Sequence, residues 1–232
     1  MASASALPIS AMPPGPYYSI DVECVATTMG HNGRAIAQIS LIDQQCNCVL
    51  NLYVKPDVGV TSYMTPLTGV TEESLSQYGI DLPTAIATLK QHLPPTATLV
   101  GQNIGKDVQW CTLKEGTDFA NLVDLAGLFR VFNERYKSFT YFGLDHVATV
   151  VFGESLDGAA HNAVTDAIKS MRLFLFYVHM QTLGMEEQWA QTQKNLLTHP
   201  IAKSFAFLNP TFEGVCMGNR KTCKCSDPTF LG

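Results

Sequence analysis

The segment Tyr18-Ser19-Ile20-Asp21-Val22-Glu23-Cys24-Val25-Ala26 constrains this chain more than any other. Ile20, Val22, Cys24 and Val25 read as strand residues with few polar interruptions, the pattern of a strand covered on both faces. Yet Asp21 and Glu23 stand in its middle. Residues two apart on a strand leave the same face, roughly 6–7 Å apart along the chain. Two ionised carboxylates on one half-buried face repel each other and are costly to desolvate. Either that face is open to water or something cationic compensates, and hard divalent cations such as Mg²⁺ suit all-oxygen ligands.

A chain of 232 residues fits one large domain, or one domain with a small appendage. A net charge of −5, with a pI near 5.6, argues against a broadly basic nucleic-acid coat but not against a local basic channel. It also agrees with a cluster of acids awaiting metal. The longest aromatic-aliphatic run, Leu173 to Val178, is bounded by Arg172 and His179 and is too short for a membrane span. The amino-terminal residues through Pro16 are rich in Ala, Ser and Pro and read as a flexible leader. They have no basic region and no long apolar run of a secretory signal. Seven cysteines, an odd count without framework spacing in the first half, suggest a reduced intracellular compartment, cytoplasm or nucleus.

Three strand-like segments come first: 17–26, 35–43 and 47–54. Their short links contain Gly30, Asn32 and Gly33, then Asp43, Gln44 and Gln45, which suits a three-stranded antiparallel meander. The pattern then turns helical. Thr71 offers a cap followed by Glu72 and Glu73, and Asp81 can cap a helix to about His92 with Pro83 placed early. A short strand at 97–101, a helix at 104–113, a strand at 120–125, a helix through Phe129, and helices at 144–152 and 163–180 complete a mixed α/β sheet flanked by helices. From Gly184 the character changes: one more helix to about Leu197, then an irregular, cysteine-containing tail. The expected organisation is a leader (1–16), a main domain (17–183) and a C-terminal helix with a basic tail (184–232).

Two later sites match the first in chemistry. Gly101-Gln102-Asn103-Ile104-Gly105-Lys106-Asp107 places an acid in the first turn of a helix, and His161-Asn162-Ala163-Val164-Thr165-Asp166 does so again behind a histidine. Taken singly, each acid can serve only the helix dipole, and a lone His is more often packed or exposed than catalytic. Together they give four carboxylates and one group titrating near neutrality. That set suits a two-metal phosphodiesterase, in which two divalent ions clamp the attacking water and the leaving oxygen, and an imidazole takes the proton.

The order and spacing Asp-x-Glu, Asn-x-x-x-Asp and His-x-x-x-x-Asp resemble the DEDDh branch of the RNase T-like 3′–5′ exonucleases over roughly residues 17–182. Leu52-Tyr53-Val54-Lys55-Pro56 and Thr68-Gly69-Val70-Thr71-Glu72-Glu73 resemble its RNA-processing members. The resemblance implies an RNase H-like fold, two Mg²⁺ or Mn²⁺ ions and release of nucleoside 5′-monophosphates from the 3′ end of single-stranded RNA. It implies that Asp21, Glu23 and Asp166 hold the first ion, Asp21 and Asp107 the second, and that His161 is the general base. The same chemistry on DNA, or on both, is the alternative, and a non-catalytic nucleic-acid-binding module ranks last because the signature is intact. Many relatives carry Thr-Gly soon after Asp-x-Glu. Here Cys24-Val25-Ala26-Thr27 stands there, so contacts to the terminal base are expected from Val25, Ala26, Met64 and Leu67. Phe142 is a stacking candidate, with core packing as its alternative.

In the tail, Cys216, Cys223 and Cys225 follow no standard zinc-finger spacing. Three thiolates with His199, the nearest upstream histidine, would satisfy a structural Zn²⁺, and reduced thiols or a disulfide are the alternatives. Arg220, Lys221 and Lys224 either form a solvated basic turn or grip phosphates of an incoming strand. Cys24, Cys46, Cys48 and Cys111 read as small core residues.

Overall fold

The computed structural model describes residues 12–153, 161–218, 223 and 225. The chain runs through β1 (Tyr17–Ala26), β2 (Arg34–Asp43), β3 (Cys48–Tyr53), α1 (Thr65–Thr68), α2 (Glu72–Tyr78), α3 (Leu82–His92), β4 (Thr98–Gly101), α4 (Gly105–Trp110) and β5 (Asn121–Asp124). It continues through α5 (Leu125–Leu128), β6 (Val131–Asn133), β7 (Ser138–Thr140), α6 (Leu144–Phe152), α7 (Ala163–Thr182), α8 (Glu186–Thr198), α9 (Phe205–Leu208), β8 (Thr211–Phe212) and β9 (Val215–Cys216). One five-stranded sheet has the order β3-β2-β1-β4-β5. The β3-β2-β1 meander is antiparallel, and β4 and β5 are added in parallel.

Alternation along β1 decides what covers each face. Ile20 and Val22 stand opposite Leu41 and Ile39 and join a core with Leu99 and with Ala85 and Leu89 of α3. Tyr17, Ser19, Asp21 and Glu23 point the other way, where α7 packs, with the Tyr17 and Phe174 rings 4.7 Å apart. That second core takes in Val100, Phe129, Met171, Phe174 and Tyr177. The sheet is therefore buried on both sides, as the near-continuous apolar sequence of β1 requires.

Both expected caps are present. The Thr71 side chain accepts from the Ser74 N–H and the Ser74 side chain closes a reciprocal capping box, while Asp81 caps α3 by accepting from Thr84 N–H.

Several expectations need correction. Residues 12–16 are not free of the body: Thr98 donates its N–H to Pro16 O at 2.9 Å and its hydroxyl to Pro14 O at 2.6 Å. The helix expected at 104–113 spans only Gly105–Trp110, because Thr112 adopts φ 50° and ends it. The hairpin of β6 and β7 was not foreseen; its three-residue strands are too short to show alternation, and Phe132 against Phe139 and Arg130 over Phe139 close it instead. Cys48 is exposed and is not a core residue, whereas Cys46, in a turn at φ 63°, is partly buried and packs against the α7-side core. The C-terminal helix α8 is joined to the main core through Trp189, which packs against Phe129 and Tyr177, and through the fully buried Leu196. No helix among the described residues is long and apolar enough to cross a membrane.

Candidate active site

Sheet register places the acids. Asp21 stands opposite Ser40 and Glu23 opposite Gln38, so all four side chains share the face that α7 covers. The buried Ser40 hydroxyl donates to Ala163 O at 2.5 Å, and Ala163 donates its N–H to Gln38 Oε1 at 3.3 Å. Asn162 caps the helix by accepting from Val164 N–H. The first turn of α7 is thereby bolted to the two residues that pair with the acids. Asp166, one turn on, faces them. Ligand oxygens of Asp21, Glu23 and Asp166 all lie within 4.8 Å of one another.

A β-bulge falls between Glu23 and Cys24. Bulges bend a strand and re-aim its side chains. The extra residue is Ala37 of β2, since Glu23 pairs with Gln38 and Cys24 with Ile36, and beyond it both Val25 and Ala26 are fully buried.

Asp107 arrives from the opposite side. β4 parts from β1 after the Ser19–Val100 pair, which leaves the Val22 N–H free to donate to the Asp107 carboxylate. The turn before α4 is fixed by Asp124, which accepts from the N–H groups of Asn103 and Ala126, each at 2.9 Å. Gly101 packs too closely for a side chain: a Cβ there would lie 2.9 Å from Ile104 Cδ1 and 3.3 Å from Ile20 O.

These acids pay for their convergence in proton affinity. Burial, then Asp107, Glu23 and Asp166, push the Asp21 carboxyl well above the usual range. Burial, and next the charge of Asp166, raise Glu23 to about 8. Burial raises Asp107 to about 7 despite its backbone hydrogen bonds. Asp166 behaves differently: burial works against its charge, but hydrogen bonds from His161 and Lys169 win and hold it below the usual range. Among them, then, three carboxylates lack a sufficient counter-charge, and one has it.

His161 sits at the rim. Its Nδ1 is 2.7 Å from Asp166 Oδ2 and its Nε2 is 3.6 Å from Asp145 Oδ2. The hydrogen bond to Asp166 leads the forces that raise its pKa. Its N–H donates to Leu67 O at 2.8 Å, which ties the histidine to α1. Lys169 Nζ lies 2.7 Å from Asp166 Oδ1 and 2.9 Å from Asp145 Oδ1, with its side chain only 14% exposed. Sequence reasoning missed Asp145 and Lys169. Lys169 lies three residues after Asp166, on the same helix face; Asp145 stands in the first turn of α6 and had no comparable signal.

Asp21, Glu23, Asp166 and His161 are thus brought into one cluster, with Asp107 near enough to Asp21 to raise its pKa. The expected substrate contacts fare less well. Val25 is buried among Ala37, Val70 and Leu75 and presents no surface to a base. Ala26 and Met64 are buried together with Val215, and only Leu67 of that set is partly exposed. Phe142 is 6% exposed and lies in the α7-side core, stacked on His146 at 5.1 Å, so it is a packing residue and not a platform for bases. His199 is no partner of the cysteines: its ring faces His146 at 5.7 Å. The histidine beside Cys216, Cys223 and Cys225 is His31. Arg220, Lys221 and Lys224 lie outside the described residues.

No family model matches the chain. Among curated proteins it is 30% identical over 158 residues to small RNA degrading nuclease 3 of Arabidopsis thaliana, covering 67% of this chain and 19% of that one. It is 27% identical over 161 residues to RNA exonuclease 4 of Gibberella zeae, covering 69% and 48%. The chain thus spans less than half the length of these relatives. Among solved structures, the Pan2 catalytic unit of Neurospora crassa (protease and nuclease domain) superposes with a TM-score of 0.65 at 16% identity, over 86% of this chain and 34% of that one. The Pan2 pseudoubiquitin hydrolase–RNA exonuclease module of Saccharomyces cerevisiae, solved with AAGGA RNA, gives 0.60 at 18%, over 79% and 34%. At those identities the structural likeness establishes the fold.

Proposed function

We propose that this chain belongs to the DEDDh branch of the RNase T-like 3′–5′ exonucleases, a reading its likeness to RNA exonucleases supports, and that it hydrolyses single-stranded RNA from the 3′ end and releases nucleoside 5′-monophosphates. One observation carries this reading: acids from three separate segments converge on a half-buried spot where burial first, and for Asp21 and Glu23 the neighbouring acids next, make Asp21, Glu23 and Asp107 hold their protons tightly. Repulsion of that kind costs stability unless a cation relieves it. The donor set is all carboxylate oxygen, which fits Mg²⁺ or Mn²⁺. Asp21, Glu23 and Asp166 would hold one ion, and Asp21 with Asp107 a second. When bound, such ions stabilise charge on the attacking and leaving oxygens of an in-line displacement.

The protein's own groups do the rest. The ionised Asp166 accepts from Nδ1–H of His161, which leaves Nε2 as the basic nitrogen. Nε2 takes a proton from the attacking water as its oxygen bonds to phosphorus. The P–O bond to the penultimate 3′ oxygen breaks, and that oxygen collects a proton from solvent. Asp145, facing Nε2, steadies the imidazolium that results. Lys169 neutralises Asp166 and Asp145 from behind, so Asp166 stays ionised throughout.

The test is a 5′-labelled RNA shortened in Mg²⁺, beside a matched DNA and a chelated control, with Asp21→Asn as the variant. Stepwise loss from the 3′ end, 5′-monophosphate products and a drop in rate by at least about a thousandfold in Asp21→Asn are expected. Equal activity in chelator, or full activity in a folded Asp21→Asn, refutes the proposal. Faster cleavage of DNA than RNA moves the substrate to DNA.

A further inference from the structure

The cysteines of the C-terminal segment form a cluster that shares no residue with the acidic one and has its own chemistry. Cys216 ends β9, and its Sγ lies 3.1 Å from Cys223 Sγ. That is well beyond the roughly 2.05 Å of a disulfide bond. Cys225 Sγ lies 3.0 Å from Nδ1 of His31, 194 residues earlier in the chain. One ligand atom from each of the four residues falls within 4.8 Å of the other three. His31 is only 6% exposed, so its imidazole is committed to this spot and not to solvent.

Backbone amides are aimed at the sulfurs as well. Gly218 donates its N–H to Cys216 Sγ and Cys225 donates to Cys223 Sγ, both at 3.4 Å and both from two residues further on. Donors of this kind stabilise negative sulfur, and outer-shell hydrogen bonds tune ligands in this way. Gly218 also lets the turn close, since a Cβ there would sit 3.3 Å from Cys223 Sγ and 3.4 Å from Cys216 Sγ.

We infer that His31, Cys216, Cys223 and Cys225 form a structural Zn²⁺ site that staples the C-terminal segment to the link between β1 and β2. Three thiolates and one imidazole complete a tetrahedron, which leaves no open position for catalysis. Soft sulfur ligands separate this site from the all-oxygen cluster, so the two select different metals. The fold supports the staple on both sides. Cys216 donates its N–H to Met29 O at 2.7 Å, and Arg34 donates to Cys216 O at 3.4 Å. Glu213 accepts from the Ser62 hydroxyl. Val215 packs on Ala26 and Met64, with Leu67, Phe212 and Met217 around them. Since Leu67 O holds the His161 N–H, the zinc-bound segment backs the wall on which the histidine rests. The zinc assignment itself does not depend on the nuclease reading.

The full chain, purified without added chelator, is analysed for metal by mass spectrometry and titrated with an organomercurial. One zinc per chain is expected, released as three thiols react. Cobalt substitution should give the absorption of a tetrahedral thiolate site. Glu23→Gln and His199→Ala should keep the zinc. His31→Ala and Cys223→Ser should weaken it by more than the ~10–100-fold that an outer-shell partner costs. A folded wild-type protein without zinc, a Cys216–Cys223 disulfide in the mass spectrum, or loss of zinc in His199→Ala with retention in His31→Ala overturns the assignment. The mercurial titration of wild type decides the matter even where a ligand variant fails to fold.

Discussion

Replacing Glu23 by Gln should stabilise the metal-free protein, which is the opposite of what removing a native polar group usually does. Burial and Asp166 raise this carboxyl from 4.5 to about 8. Folded protein then keeps a proton that the unfolded chain has released, so stability falls as pH rises from about 4.5 toward 8. At about 1.36 kcal/mol for each tenfold change in proton affinity, the charged form is penalised by at most about 5 kcal/mol. Glutamine retains a share of the burial cost, about 1–3 kcal/mol. The net gain for Glu23→Gln in chelator at pH 8 or above is therefore roughly 2–4 kcal/mol, or about 4–16 °C in Tm for a chain of this size. Well below pH 4.5 Glu23 is protonated in both states, and the gain should vanish.

Thermal denaturation in chelator from pH 4 to 9 measures this directly. A second series in Mg²⁺ completes it: the ion should raise the Tm of wild type by more than that of Glu23→Gln, because it relieves a repulsion the variant no longer has. Activity should be lost in the same protein. If metal-free Glu23→Gln is no more stable than wild type at pH 8, or if its gain is the same at pH 4.5, the charge frustration described here is absent.

Lys169→Met should do the reverse. It strips the ammonium from the buried Asp166 and from Asp145, costing about 3 kcal/mol in chelator at pH 7. Asp166 has a lowered pKa, so the contribution is present above about 4 and lost as pH falls through the lower value it has in the fold; denaturation at pH 3 and pH 7 checks the difference. Ser40→Ala removes the donor to Ala163 O, with about 1–2 kcal/mol lost in urea unfolding. Because that contact sets the start of α7, kcat should fall roughly tenfold or more with little change in KM.

Much of the sheet was legible because its strands are long enough to show their pattern, and helices after it carry caps at Thr71 and Asp81. The five catalytic candidates were legible as a spacing, since each acid after the first pair sits in the first turn of a helix. What placed them was not. Ser40 and Gln38 read as polar interruptions in β2, and only the register opposite Asp21 and Glu23 shows that they anchor α7. Val25 was misread because its place after Asp-x-Glu says nothing of its burial among Ala37, Val70 and Leu75. Phe142 stood open between stacking and core packing because an aromatic ahead of a helix looks the same whether it faces a groove or a core, and its burial decides for packing. His31 could not be matched to the cysteines from sequence, because the nearest histidine in the chain is not the nearest in space.

Anomalous diffraction from crystals soaked in Mn²⁺ interrogates the heart of this account without reference to substrate. Two peaks bounded by Asp21, Glu23, Asp107 and Asp166, about 3.5–4 Å apart, are the expected result. Crystals that take up Mn²⁺ elsewhere and leave those four carboxylates without a peak would contradict it.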